Sequence, residues 1–339
     1  MKMSKIVIGL FICAFGTVLT AQDLHFTNYN FAPLHLNPAK TGGFNGSYRI
    51  GGTYRDQFRT FIDEAYQSAA LWVDSPIAFV FNERQWIGAG ISLFNDQVGD
   101  LGFGTRGVNL NAAYHLSLDD KYEKVFAFGA QYGMTQRGIG SPENANFADG
   151  LTSTSGGSQD MNLISMFSET YTDLNVGVNY KQKVSKGNSL EFGASLYHAL
   201  APRFFFNGSS FTNRIERRLN FYLETAMQLS KRFQLNPAVY YSKMGQAQIT
   251  QIQVNSKTLL TKKGSTLLTA GIGYRINDAF QLLVGAIYKQ WEFGLSYDMT
   301  VSTASEYNRS VGGLELGVKR YIVKFKKPKV SPVLICPRT

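Results

Sequence analysis

The chain has 339 residues, of which 17% are charged and 14% aromatic, with 33 glycines and a formal net charge of +10. A soluble domain carries roughly 25% charged residues, so this composition points to a wall facing lipid, where charges are costly, rings collect at the interfaces and glycine suits tight turns. No Pro-rich or Ser-rich linker divides the chain, which predicts one large domain, and the cations form no basic face interleaved with exposed aromatics, which argues against nucleic acid as a partner.

Residues 1–21 read as a secretory signal. Lys2 and Lys5 lead, an apolar run follows from Ile6 to Val18, and Leu19, Thr20 and Ala21 offer a cleavage site before Gln22. The run is too short for a membrane-spanning helix, which needs about 20 apolar residues, and no later stretch is apolar for that long. A chain that spans a membrane without such helices must do so as a closed barrel, where every backbone group is paired without water. The expected location is the bacterial outer membrane.

Residues 22–46 are not strand-like, because Pro33 and Pro38 interrupt them and Asn37, Gly42, Gly43, Asn45 and Gly46 are turn formers. Phe26, Tyr29, Phe31, Leu34 and Leu36 need burial, which a barrel lumen or mouth offers, so this stretch is expected to be a plug-like or periplasmic segment. The barrel itself is expected over residues 47–325 and a basic periplasmic tail over 326–339.

Strands are predicted at 48–58, 64–74, 85–95, 106–118, 124–137, 171–182, 189–200, 218–229, 233–243, 247–255, 265–275, 279–288, 290–301 and 310–325, an even set of fourteen. The fourth defines the pattern: Val108, Leu110, Ala112, Tyr114, Leu116 and Leu118 alternate with Asn109, Asn111, Ala113, His115 and Ser117. Alternate side chains of a strand point to opposite faces, so the first row meets an oily environment and the second a wet one. The fold class is therefore all-β, a transmembrane antiparallel β-barrel of about fourteen strands with a plug-like N-terminal segment. The weakest strands are the second and the tenth, where Gln248, Gln251 and Gln253 are expected to interrupt any lipid face.

Outer-membrane barrels have short periplasmic turns and long external loops. The two longest connections, 138–170 and 201–217, follow the fifth and seventh strands and so share one side. Their apolar residues, including Phe147, Phe167, Phe204, Phe205 and Phe206, are candidates for a partner surface or for packing on the rim. Removing Lys2 and Lys5 leaves +8 on the mature chain, much of it after Glu315 in Lys319, Arg320, Lys324, Lys326, Lys327, Lys329 and Arg338. An acidic partner, phospholipid headgroups or plain solvation would each account for that run. Cys13 lies in the signal and Cys336 is then the single cysteine of the mature chain, so no internal disulfide forms.

Catalytic and metal chemistry find no legible site. His25, His35, His115 and His198 form no ligand spacing, Gly271 and Gly273 lack the rest of a phosphate-cradling loop, and His115 with Ser117 lacks an orienting third group and an oxyanion site. No enzyme activity and no cofactor are expected. The inward rows do carry Asp173, Asn175, Glu191, Glu224, Glu292, Asp298 and Glu315, together with Arg49 and Arg275, a set suited to cross-linking a filled interior.

Six stretches together resemble the PorP/SprF family of outer-membrane proteins of type IX secretion and gliding motility in Bacteroidota. They are Gln22-Asp23 followed by Leu36-Asn37-Pro38-Ala39 and Gly42; Asp173-Leu174-Asn175-Val176-Gly177 with Tyr180; Gly271-Ile272-Gly273-Tyr274-Arg275; Gly294-Leu295-Ser296-Tyr297-Asp298; Gly313-Leu314-Glu315-Leu316; and Ile335-Cys336-Pro337-Arg338. Thr339 stands where the family usually ends on an aromatic residue or leucine. The resemblance implies a non-enzymatic barrel that works with the type IX machinery and binds, and helps secrete or anchor, large surface proteins through their C-terminal domains. Its implied partners are that machinery, such a C-terminal domain and outer-membrane lipid. A long-chain-fatty-acid-transporter-like channel is the alternative, since it too joins a fourteen-strand barrel to a plug with Asn-Pro-Ala, here Asn37-Pro38-Ala39.

Overall fold

The computed structural model describes residues 23–57, 66–79, 84–99, 101–140, 168–204, 213–260, 266–302, 305 and 311–324. Its strands in chain order are β1 (Tyr48–Gln57), β2 (Tyr66–Phe79), β3 (Gln85–Val98), β4 (Phe103–Ser117), β5 (Lys124–Ile139), β6 (Ser168–Ser185), β7 (Asn188–Tyr197), β8 (Arg203–Phe204), β9 (Asn213–Arg214), β10 (Arg218–Gln228), β11 (Phe233–Met244), β12 (Ala247–Leu259), β13 (Thr266–Arg275), β14 (Ala279–Tyr288), β15 (Trp291–Thr300) and β16 (Val311–Ile322). All but β8 and β9 form a closed barrel of fourteen antiparallel strands, each paired with its chain neighbour, and β1 closes on β16 from Tyr48↔Ile322 to Gln57↔Gly313. Closure leaves no open edge, the condition for a sheet in lipid.

The period-2 rows fall where alternation demands. On β4, Leu110 is 60% exposed on the outer surface while Asn109, Asn111, His115 and Ser117 are buried inside. The same split holds on β6 and β15, with Asp173, Asn175, Ser296 and Asp298 inward.

Two expectations need correction. Gln251 and Gln253 do not interrupt the outer face of β12; both are buried on its inner face, and Ile252 and Val254 alternate with them outward. The parity of the row decides this, not its polarity. β7 ends at Tyr197 rather than running to residue 200, because His198 and Ala201 adopt positive φ (56° and 45°), which a strand cannot continue through.

The long connections after β5 and β7 leave one end of the barrel, here the loop end. The opposite, turn end carries the links after β4, β6 and β10, the start of β1 and the finish of β16. Inside the barrel lies the N-terminal segment: a 3-10 turn at Tyr29–Phe31, a single helical turn α1 at Pro33–Leu36 and a second 3-10 turn at Pro38–Lys40. Pro33 and Pro38 each open a turn, where the missing N–H costs nothing. The segment enters beside β1 at the turn end, where Ser47 N donates to Ile322 O, and runs upward until Asp23 meets Arg218 and His198 at the loop end.

Candidate functional site

A segment with only single turns leaves most of its backbone polar groups without regular partners, and buried groups of that kind must be satisfied from outside. The inner wall does so along the whole path. At the loop end Asp23 accepts from Arg218 Nη1 (3.0 Å) and faces His198 Nε2 (3.2 Å), while His198 Nδ1 lies 2.6 Å from Asp173. Arg218 also donates to Leu24 O, and Arg55 to His25 O. Burial of His198, in the connection after β7, opposes charge on the ring, but its hydrogen bonds to Asp173 and Asp23 outweigh this and raise its pKa to about 9.

Thr27 is the next fixed point. Its N–H and that of Asn28 donate to the two oxygens of Glu315 (2.7 and 2.8 Å), its carbonyl accepts from Gln251 and Gln253 (2.9 Å each), and its hydroxyl lies between the oxygens of Asp298. Asp298 in turn accepts from Arg275 (2.6 Å) and Arg55 (3.1 Å). Two glutamines therefore read a carbonyl and one carboxylate reads two consecutive amides, a pattern that fixes register as well as position.

Further down, Trp72 Nε1 donates to Phe31 O, Gln131 and Tyr197 donate to Leu34 O, and Ser195 to Leu36 O. Asn37 is fully buried: its amide NH2 donates to Val178 O (2.8 Å) and Ala194 O (3.2 Å), and its Oδ1 accepts from Ala39 N, capping the second 3-10 turn. Lys40 is held between Glu191 (3.0 Å) and Glu224 (3.4 Å) above the Tyr222 ring. His115 Nε2 donates to Thr41 O, Gly42 N donates to Asp74, and Asp74 pairs with Arg49.

Sterics match the hydrogen bonds. Gly129 and Gly177 face each other across β5 and β6, and a Cβ on either would lie 2.2 Å from Ala39 N or 2.0 Å from Asn37 Oδ1. Gly294 and Gly317 face each other across β15 and β16, where a Cβ would strike the Phe31 ring at 2.3 or 2.4 Å. Each glycine pair is thus a socket, one for the Asn37-Pro38-Ala39 turn and one for Phe31.

The inner wall does not fit the segment equally tightly everywhere. Around Asp23 the residual space is about 40 Å³, whereas at the turn end a cavity of about 820 Å³ opens, lined among others by Lys40, Arg49, Trp86, Glu191, Glu224 and Lys319.

The seven inward polar residues anticipated from the sequence all lie on the inner wall, but in separate groups: Asp298 with Glu315 and Glu191 with Glu224 bind the segment directly, Asp173 with Asn175 holds His198 against Asp23, and Glu292 holds Lys319 (3.3 Å), which donates to Asn30 O. Asn37, Pro38 and Ala39 form the deepest turn. Arg55, Asp74 and Arg218 share these tasks without being sequence candidates, and so do Gln251, Gln253 and His198, for which the sequence suggests no such task, although each occupies the inward row or the bend at its end. His115 and Ser117 do not work as a pair, since Ser117 bonds Asp119 O instead. Phe204 is buried against Tyr171 and Ile215 on the rim, with Arg137 over its ring, and so is not part of an exposed surface. Phe147, Phe167, Phe205, Phe206, Cys336, Pro337 and Arg338 lie outside the described residues. Among the described residues no cluster of His, Cys, Asp and Glu has the makings of a metal site.

An oily outer surface, a closed fourteen-strand wall and a polar, occupied interior define the class of outer-membrane β-barrels. The chain belongs to the family of type IX secretion system membrane proteins PorP/SprF, whose family model matches residues 18–314. Because outer-membrane barrels carry short turns on the periplasmic side and long loops outside, the loop end is taken as external and the turn end as periplasmic. A search of curated proteins gives no match. Among solved structures, the toluene transporter TbuX of Ralstonia pickettii overlaps 86% of this chain and 93% of its own at 10% identity and a TM-score of 0.47. A FadL homologue of Pseudomonas aeruginosa overlaps 84% and 92% at 11% identity and 0.48, and the monoaromatic hydrocarbon channel CymD 90% and 95% at 9% and 0.49. No ligand is inferred from overlaps of this grade.

Proposed function

We propose that this barrel serves type IX secretion as a plugged docking platform, binding the C-terminal domain of a large secreted surface protein on its external face rather than conducting a solute. The observation that carries this reading is the commitment of the inner wall to its own N-terminal segment: Thr27 alone takes up Glu315, Asp298, Gln251 and Gln253. A wall so lined favours a filled lumen over an apolar path, which weighs against the hydrophobic channel. With the interior occupied, the surfaces left for partners are the two ends and the flank, and the connections after β5 and β7 are the longest in the sequence on the external side. Machinery on the other side of the membrane would meet the periplasmic rim.

The test is to shorten residues 141–167 and 205–212 separately and together, check barrel assembly by heat-modifiable gel mobility, and measure surface display of a secreted protein that carries a type IX C-terminal domain. Display should fall in the assembled variants. Normal display with both loops shortened would reject the platform reading.

A further inference from the structure

The outward flank of the periplasmic rim carries a feature that neither the lumen nor the loops require. Lys289 Nζ lies 5.1 Å from the centre of the Tyr288 ring, the Arg320 guanidinium 4.9 Å from Trp291, and Lys324 Nζ 5.2 Å from Tyr48. All three rings are exposed on the outer surface. Strand register makes them neighbours, through Tyr288↔Trp291, Trp291↔Arg320 and Arg320↔Ile50, so one patch runs across β14, β15, β16 and β1. Four adjacent strands span roughly 15 Å at ordinary strand spacing.

Cations held over exposed rings set this sector apart among the described residues of the turn-end rim. Near β3 to β6, Arg84 pairs with Asp120 (3.2 Å) and Lys183 with Glu123 (3.6 Å). Among the described residues, Lys289, Arg320 and Lys324 have no carboxylate partner, and Arg320 Nε has no acceptor. Glu292, the acid nearest on these strands, is turned inward to Lys319. Three cations held over rings, at the level where a barrel's aromatic girdle meets headgroups, therefore lack an anion. The periplasmic leaflet offers one in the phosphates of its lipids, and a guanidinium is suited to take two phosphate oxygens at once.

We infer that the β14–β15–β16–β1 flank is a binding site for an anionic phospholipid of the periplasmic leaflet, with Arg320 as the central phosphate donor and Lys289 and Lys324 on either side. The site faces lipid and is independent of what the loops bind.

The purified full-length barrel should be reconstituted in mixed phosphatidylcholine and phosphatidylglycerol and its retained lipids identified by native mass spectrometry. Wild type should retain phosphatidylglycerol in preference. Retention should fall about fivefold for each cation removed in Lys289→Gln, Arg320→Gln and Lys324→Gln. The double variant Arg84→Gln/Lys183→Gln should retain it normally, and Arg320→Lys should keep most of it, which separates charge from packing. Equal retention of both lipids by wild type would overturn the site, as would undiminished retention by a triple variant that keeps its heat-modifiable mobility. Displacement of the lipid by soluble glycerol 3-phosphate would show a site for free phosphate rather than lipid. Loss of a periplasmic protein from the triple variant, with phosphatidylglycerol retained, would assign the flank to that protein instead.

Discussion

The external and periplasmic halves of the lumen are lined by similar side chains but packed to different densities. Around Asp23 there is room for about two or three waters, and around Thr27 the side chains of Arg55, Arg275, Asp298 and Glu315 are buried. Around Lys40 the same kinds of pair border a cavity of about 820 Å³. Arg55 and Asp298 are each 4% exposed, so a lost partner there leaves a charge that water cannot reach, whereas Glu224 is 21% exposed beside the cavity, where solvent replaces it. The difference teaches that the segment is clamped along its whole path, with a large cavity beside it at the periplasmic end.

The sharpest way to break this comparison is to delete residues 23–46. Conductance in planar bilayers should rise from a closed baseline to that of an open barrel, and a barrel still closed would mean that other elements block it. Next, Asp298→Ala strands Arg55, leaves Arg275 only its pair with Asp278, and should cost about 3–5 kcal/mol in urea unfolding. Glu224→Ala leaves Lys40 its bond to Glu191 and should cost about 1 kcal/mol or less. Equal losses would erase the distinction between the halves. Gly177→Val, which puts a side chain where Asn37 sits, should cost about 1–3 kcal/mol by overpacking and raise conductance less than the deletion does.

The smallest effect should be a response to pH at the external end. The pKa of His198 is raised from 6.5 to about 9, so the stabilisation from its protonated ring is full below about 6.5 and is lost as pH rises through about 9. Hydrogen exchange of residues 23–28 should accelerate between pH 8 and about 10 beyond the intrinsic base-catalysed increase, while residues 40–44, beside the cavity, should show no such excess. His198→Gln should abolish the excess, and its persistence would place the response elsewhere.

The barrel was legible in the chain because lipid and lumen impose opposite demands on alternate residues, and a period of two survives in every strand whatever its partners. That is why β4, β6 and β15 could be placed with the correct face outward, and why the strand number and the side of the long connections followed. The motifs that carry the family resemblance were legible as motifs, but their task was not. Asp173, Gly177, Gly294, Asp298 and Glu315 lie on three strands remote from residues 22–46 in sequence, yet every one of them touches or makes room for that segment or its clamps. Glutamines on β12 looked like defects in a lipid face because sequence alone does not state the phase of a weak row; the carbonyl of Thr27 gives them their place. Local pattern determines which side of the wall a residue faces, since that depends on backbone geometry alone. What meets it across the lumen depends on closure of the barrel and the path of the N-terminal segment through it, and only the tertiary structure decides that.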